Sequence, residues 1–342
     1  MKTFTKNASA LAILAALTVP SMATAEATLY GKAHLSFGSV SEDDGTTDSS
    51  STAVTSHSSR VGVKGSVDTE NTAQFIYKFE WEVDMADEKD AEENHIKSRS
   101  QYVGIKDSWG EVRLGRDNSP YKNAGKKSVE FLSDTWADFN NIIQKSQDTR
   151  NDDSIAYWGK IGPGTLGVMY AAGDDDYDQP NDVDPATEAE NFGESTSIAY
   201  DMKLGNIAFA VATQTLSDAG DTAGNDETGT KLGFGYTMGS TQLGLMYETV
   251  DDDANTIDNK NTLFSVKHGL NKTDSIIFEY GMKDQQGEAD DATMTALAYK
   301  HKMGKGLELY GLYANGADGG LNDNSKLAGD SSVLVLGMVA AF

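Results

Sequence analysis

SSVLVLGMVAAF, residues 331–342, closes the chain and decides how the rest of it is read. Counted back from Phe342, every second residue is apolar: Ala340, Met338, Leu336 and Leu334. That is the period of a β-strand with one apolar face. An unpaired apolar strand at a chain end recruits other chains. The pattern therefore predicts that this strand pairs with the first one, closing a barrel whose apolar face turns to lipid.

The beginning of the chain reads as an export leader. Lys2 and Lys6 precede an apolar run at 8–19 (ASALAILAALTV), and Ala23-Thr24-Ala25 offers a small-x-small cleavage site. The run is shorter than the ~20 residues of a membrane-spanning helix. Residues 1–25 are thus expected to be a cleaved signal peptide and 26–342 a single barrel domain. There is no cysteine, which excludes disulfides, thiolate metal sites and a cysteine nucleophile. Only 38% of residues are hydrophobic, yet they fall on alternate positions rather than at random. A chain with a wet interior and an apolar exterior needs no more than that. The net charge of −25 argues against nucleic acid as a partner, since phosphate binding requires clustered Lys and Arg.

Working back from the last strand, segments of period two recur along the chain. Phe75, Tyr77, Phe79, Trp81 and Val83 alternate with Gln74, Lys78, Glu80 and Glu82. Leu232, Phe234, Tyr236 and Met238 alternate with Lys231, Gly233, Gly235 and Thr237, and Leu29, Ala33, Leu35 and Phe37 with Lys32, His34 and Ser36. Half of each strand is expected to be polar along its whole length. Segments 102–106, 154–160 and 294–303 alternate less cleanly and count as strands by position. Seven tight turns (68–71, 107–110, 161–164, 204–206, 239–240, 270–273, 304–306) alternate strictly with eight longer polar segments (41–56, 86–96, 118–149, 173–192, 218–228, 251–259, 285–290, 316–330). Fifteen connections join sixteen strands, with both termini at the turn end. The expected fold is all-β: a transmembrane, antiparallel, up-and-down β-barrel of about 16 strands, too wide for wall side chains to fill.

The third long segment, 118–149, is the longest. It carries Val129, Phe131, Leu132, Trp136, Phe139, Ile142 and Ile143, more large apolar side chains than a solvated loop needs. They point to packing against the barrel wall, the outer rim or a neighbouring subunit. Aromatics near strand ends (Tyr30, Tyr77, Trp81, Trp158, Tyr247, Tyr313) fit interfacial girdles.

LYGKA (29–33), SRVGVKG (59–65), SRSQYVGIKDSWGEVRLGR (98–116), TRNDDSIAYWG (149–159) and the terminal Phe342 together resemble the general porins of the Gram-negative outer membrane. Ala340 departs from that pattern, where an aromatic residue is common. The resemblance implies a homotrimer of sixteen-stranded barrels in the outer membrane, among lipid and lipopolysaccharide. Each barrel would pass small hydrophilic solutes and ions, with loop 3 folded into the lumen. It also implies a constriction with basic residues at Lys32, Arg60, Arg99 and Arg150 facing carboxylates of that loop, for which Glu130, Asp134 and Asp138 are the candidates. Lys32, Arg60 and Arg150 have the polar parity of their strands. Arg99 shares the parity of Gln101 and opposes Tyr102, which points it inward as well. The three carboxylates are four residues apart and would share a face if the segment were helical.

No cofactor, metal site or catalytic group is expected. The five histidines (His34, His57, His95, His268, His301) are dispersed, and neither G-x-S-x-G nor a Walker loop is present. Acidic runs such as Asp174–Asp176, with Asp178, and Asp251–Asp253 lack the Gly and Glu of a calcium loop and read as a negative vestibule or solvated charge. Two alternatives stay open: a porin selective for anions, dicarboxylates or oligosaccharides, and a barrel that transports nothing, as an adhesin or an outer-membrane enzyme.

Overall fold

Phe342 seals the sheet. Its strand, β17 (Asp330–Ala341), runs antiparallel to β1 (Glu26–Asp43), in register from Lys32 opposite Ala341 to Asp43 opposite Asp330. Phe342 donates its N–H to Gly31 O (3.1 Å), and Gly31 N–H returns the bond to Phe342 O (3.0 Å). The Phe342 ring lies over Gly31, where an added Cβ would come within 2.4 Å of it. This is a computed structural model describing residues 26–43, 45–70, 72–86, 96–173, 194–219, 224–284, 291–321 and 329–342. The expected leader and the run at 174–178 lie outside the described residues, as do Asp44, His95 and Asp290.

Among the described residues, the strands after β1 are β2 (Asp48–Ser56), β3 (Arg60–Asp68), β4 (Gln74–Val83), β5 (Ile96–Asp107), β6 (Gly110–Asn118), β7 (Arg150–Ile161), β8 (Gly164–Ala171) and β9 (Ser195–Leu204). There follow β10 (Ile207–Leu216), β11 (Glu227–Met238), β12 (Thr241–Asp252), β13 (Asp258–Gly269), β14 (Asp274–Lys283), β15 (Ala292–Gly304) and β16 (Leu307–Ala317), before β17. All lie in one antiparallel sheet. Seventeen segments make sixteen staves, because β2 and β3 lie end to end along the same edge of β1. The break falls at His57–Ser59: Ser58 takes a left-handed φ of 48°, and the register to β1 slips by one residue. The expected loop at 41–56 is therefore mostly strand. Its Ser/Thr-rich β2 gives little apolar alternation, and Asp48 pairs opposite Asp43 at the loop end.

The outer face is apolar. Leu336 is 71% exposed, Phe37 57% and Leu297 53%. A barrel standing in hydrocarbon presents such a belt to lipid, whereas water would not tolerate it. The inner face is polar only on part of the wall. Beneath the third loop, Met246, Leu263, Ile277, Met294, Leu312 and Val335 are buried and apolar, packed with Val129, Leu132, Phe139, Ile142 and Ile143 of the loop. This is why 294–303 alternates poorly: Met294, Ala296 and Ala298 line a dry contact, not water. Each large loop side chain so buried contributes about 1.5–3 kcal/mol, which holds the segment against the wall.

Candidate functional site

The segment between β6 and β7 is built from short pieces. Ser119 caps a one-turn helix, Pro120–Asn123, by accepting the Lys122 N–H (3.0 Å). Proline at the first helical position sacrifices no hydrogen bond. A second turn, Lys126–Val129, follows Gly125, whose φ of 75° redirects the chain. After it the backbone stays irregular until the 3-10 turn Phe139–Asn141, capped by Asp138. The condition for one shared helical face through Glu130, Asp134 and Asp138 is therefore not met.

Polar anchors fix this segment to inward-facing groups of the wall. Tyr121 donates its N–H to Ser197 Oγ (2.9 Å) and its hydroxyl to Glu248 (2.8 Å). Gln144 N–H also reaches Glu248 (2.7 Å), and Phe131 N–H reaches Glu279 (3.0 Å). Lys122 Nζ bonds both the carboxylate (2.6 Å) and the carbonyl (2.7 Å) of Asp148, tying the two ends of the segment together. Glycines on the wall give it room. A Cβ at Gly281 would meet Ile142 Cγ1 at 2.3 Å, and one at Gly244 would meet the Val129 backbone at 2.7 Å.

The segment thereby delivers Asp134 across the interior. Its carboxylate accepts from Lys32 Nζ and from Arg60 Nη2 (3.2 Å), two residues paired across β1 and β3. Asp134 itself sits at a left-handed φ of 53°. Burial alone would raise its pKa, but Lys32 and Arg60 outweigh burial and hold the carboxyl well below the usual carboxylate range. It therefore stays charged at every physiological pH.

The other candidates are placed differently. Arg99 donates Nε to Glu80 (2.8 Å) and Nη1 to Glu82. The parity argument for it fails, since beyond the register shift the exposed apolar residues of β5 are Val103 and Ile105, and Gln101 shares their parity. Arg99 reaches the inner carboxylates because the β4–β5 register shifts between Phe79 and Trp81, flipping the alternation. Arg150 donates Nε to Asn118 Oδ1 (3.0 Å), and among the described residues no carboxylate pairs with it. Asp138 is buried and works locally, accepting N–H groups from Asp134 and Asn140 (2.9 Å). It braces the backbone at Asp134. Glu130 lies near Lys126 and Asp134, and burial raises its pKa above the usual carboxylate range.

Two groups escaped the sequence reading. Glu80, 7% exposed, collects Arg99, the Tyr30 hydroxyl (2.8 Å) and Lys78 (3.3 Å). Its parity opposite Phe79 and Trp81 was the available signal. Arg113 lies 4.7 Å from the Tyr102 ring and 5.5 Å from Trp158, and pairs with Glu111 and Asp117. Tyr30 and Trp158 thus belong to the interior and not to an interfacial girdle.

Residues 10–320 match the family model described as Gram-negative porin. The outer membrane porin protein 32 of Delftia acidovorans is 27% identical over 320 residues, covering 90% of this chain and 88% of that one. The anion-selective porin from Comamonas acidovorans superposes with a TM-score of 0.75 at 19% identity, covering 93% of this chain and all of the other. The trimer form of OmpT, an outer membrane protein of Vibrio cholerae, superposes with a TM-score of 0.64 at 15% identity, covering 93% and 99%. The family match spans nearly all of the barrel that Phe342 closes, and the chain belongs to the Gram-negative porins of the outer membrane.

Proposed function

We propose that the narrowest part of this outer-membrane channel lies where Asp134 faces Lys32 and Arg60, with Arg99 and Arg150 extending the basic side. The observation that carries this is the ion pairing of Asp134, on a loop anchored to β9–β14, with residues of β1 and β3. Fixed charges of opposite sign on facing walls set up a transverse field, which low-dielectric surroundings focus. Water and small polar solutes align in that field and pass. Apolar solutes must displace oriented water. Arginine suits the wall because it stays charged at any accessible pH.

The channel works by passive diffusion of small hydrophilic solutes and ions, selecting by charge and radius. It carries out no catalysis in this reading, and it acts as a homotrimer, the assembly named for the Vibrio relative. Residues 1–25 serve as the export leader and 26–342 as one barrel domain. Lipid and lipopolysaccharide surround the apolar belt.

Removing residues 130–138 tests the constriction. The solute size limit measured by liposome swelling should rise, and an unchanged limit would place the segment outside the path. Purified protein that gives no conductance steps in planar bilayers would instead favour a non-transporting barrel.

A further inference from the structure

We infer that the turn-side half of the channel holds a second binding site, formed by Lys267, Lys300 and Lys302 with Ser275, for small polyvalent oxyanions. This rests on the channel reading above and adds a site distinct from Asp134 and its partners.

The placement follows from the alternation. On β13 the buried inner residues are Asn259, Asn261, Leu263 and Ser265, and Lys267 is next in that series toward the turn. On β15 they are Met294, Ala296 and Ala298, and Lys300 and Lys302 continue the series. The third loop covers the wall just above: Ser265 Oγ donates to Val129 O, and Glu279 accepts from Phe131 N–H. The lysines begin where that cover ends. Ser275, on β14 between them, stands directly opposite Lys300 and one step diagonally from Lys267.

Within this cluster the cations outnumber the carboxylates that pair with them. Lys300 pairs with Glu308 (3.3 Å), while among the described residues Lys267 and Lys302 pair with no carboxylate. Lys267 is close enough to Lys300, Lys302 and Glu308 to interact with each. Two other acids lie nearby: Asp274 is held by the Tyr299 hydroxyl (2.6 Å) and His301 (2.6 Å), with Tyr299 facing outward, and Glu279, within reach of Lys300, accepts the Phe131 N–H under the loop. Among the described residues, three ammonium groups therefore have one ion-paired carboxylate, Glu308. At Arg99, by contrast, Glu80 and Glu82 supply two carboxylates, and at Arg113 Glu111 and Asp117 do the same.

Gathering like charges on one patch of the wall costs stability unless an anion offsets them. Lysines on β13 and β15 stand about 10 Å apart at their bases. Their flexible stems can converge on one anion, with the Ser275 hydroxyl between them. Only a ligand with several charged oxygens can engage all of these donors at once, which favours a phosphate-like or dicarboxylate ion over chloride.

The test uses the full protein in planar bilayers at pH 8, with inorganic phosphate added to the side reached by the turns. Chloride current through single channels should fall saturably as phosphate rises. The apparent affinity should weaken about fivefold or more in Lys267→Gln/Lys300→Gln/Lys302→Gln. The double variant Lys267→Gln/Lys302→Gln keeps the Lys300–Glu308 pair, should fold as the parent does, and should show most of the same loss. Conductance steps with no saturable phosphate effect, or with equal affinity in parent and both variants, would overturn the site while leaving the channel intact. Absence of any conductance step in the parent would overturn both.

Discussion

Replacing Asp134 by Asn removes one charge from the point where the loop meets the opposite wall, at nearly constant volume. Lys32 and Arg60 then face no carboxylate from Asp134, so the local balance of these three residues moves from +1 to +2. A unit charge about 5 Å from the ion path, in water, is worth about 0.8 kcal/mol to a passing monovalent ion. With a Debye length of about 10 Å at 0.1 M salt, about 0.5 kcal/mol of that survives. Cations are disfavoured and anions favoured by the same amount, so the permeability ratio should shift toward anions by about fivefold. At 1 M salt the Debye length of about 3 Å should shrink the shift below twofold. Asn keeps a side-chain acceptor, so the loop should lose only about 1–3 kcal/mol of docking energy. The assay is the reversal potential of parent and variant across a KCl gradient, at low and at high salt. An unchanged reversal potential at 0.1 M would show that Asp134 does not face the permeating ions. An equal shift at both salt concentrations would mean that the loop had moved rather than that a charge had been lost.

Three further outcomes follow from the same geometry. Gly281→Leu should drive a side chain into Ile142, costing about 1–3 kcal/mol, and should raise both the solute size limit and the sensitivity of the loop to protease; unchanged swelling rates would contradict the packing. Because burial raises the pKa of Glu130 while Asp134 is held low, acidification from neutral pH should neutralise Glu130 first, with Asp134 still charged. Native stability should decline as pH rises from the ordinary carboxylate range through the raised Glu130 pKa and level off above it, and the anion preference should grow as pH falls through the raised pKa; Glu130→Gln should abolish this pH dependence of the reversal potential. Deleting Phe342 should remove the two hydrogen bonds to Gly31 and the ring over it, lowering the temperature at which the folded band is lost in unheated gels; no change would mean that the seam closes without it.

The barrel was legible because lipid enforces one rule on every stave. Leu334, Leu336, Phe234 and Phe278 must point outward whatever lies inside, so their parity survives in the sequence. The strict alternation of tight turns and long loops was equally plain. What escaped has physical causes. β2 is rich in Ser and Thr and lacks the apolar alternation that marks the other staves. The register shift opposite Glu80 turns Arg99 inward against its parity, and a bulge leaves no mark in hydropathy. Much of the inner wall from β12 to β17 under the loop is apolar, with Met246, Leu263, Ile277, Met294, Leu312 and Val335, so the rule of a polar inside fails where a loop replaces water. Of the three loop carboxylates, spacing could not say which would cross the interior. Asp138 became a cap and Glu130 a half-buried neighbour of Lys126, because the chain between them is irregular.

The chain has no cysteine, so a single introduced thiol reports on one place only. The most direct measurement is the conductance of single Asp134→Cys channels before and after a positively charged, water-soluble thiol reagent, followed by a reductant. The account predicts discrete conductance steps that drop in amplitude on labelling and recover fully on reduction. Steps that stay the same size, with labelling of the thiol verified by mass, would contradict it.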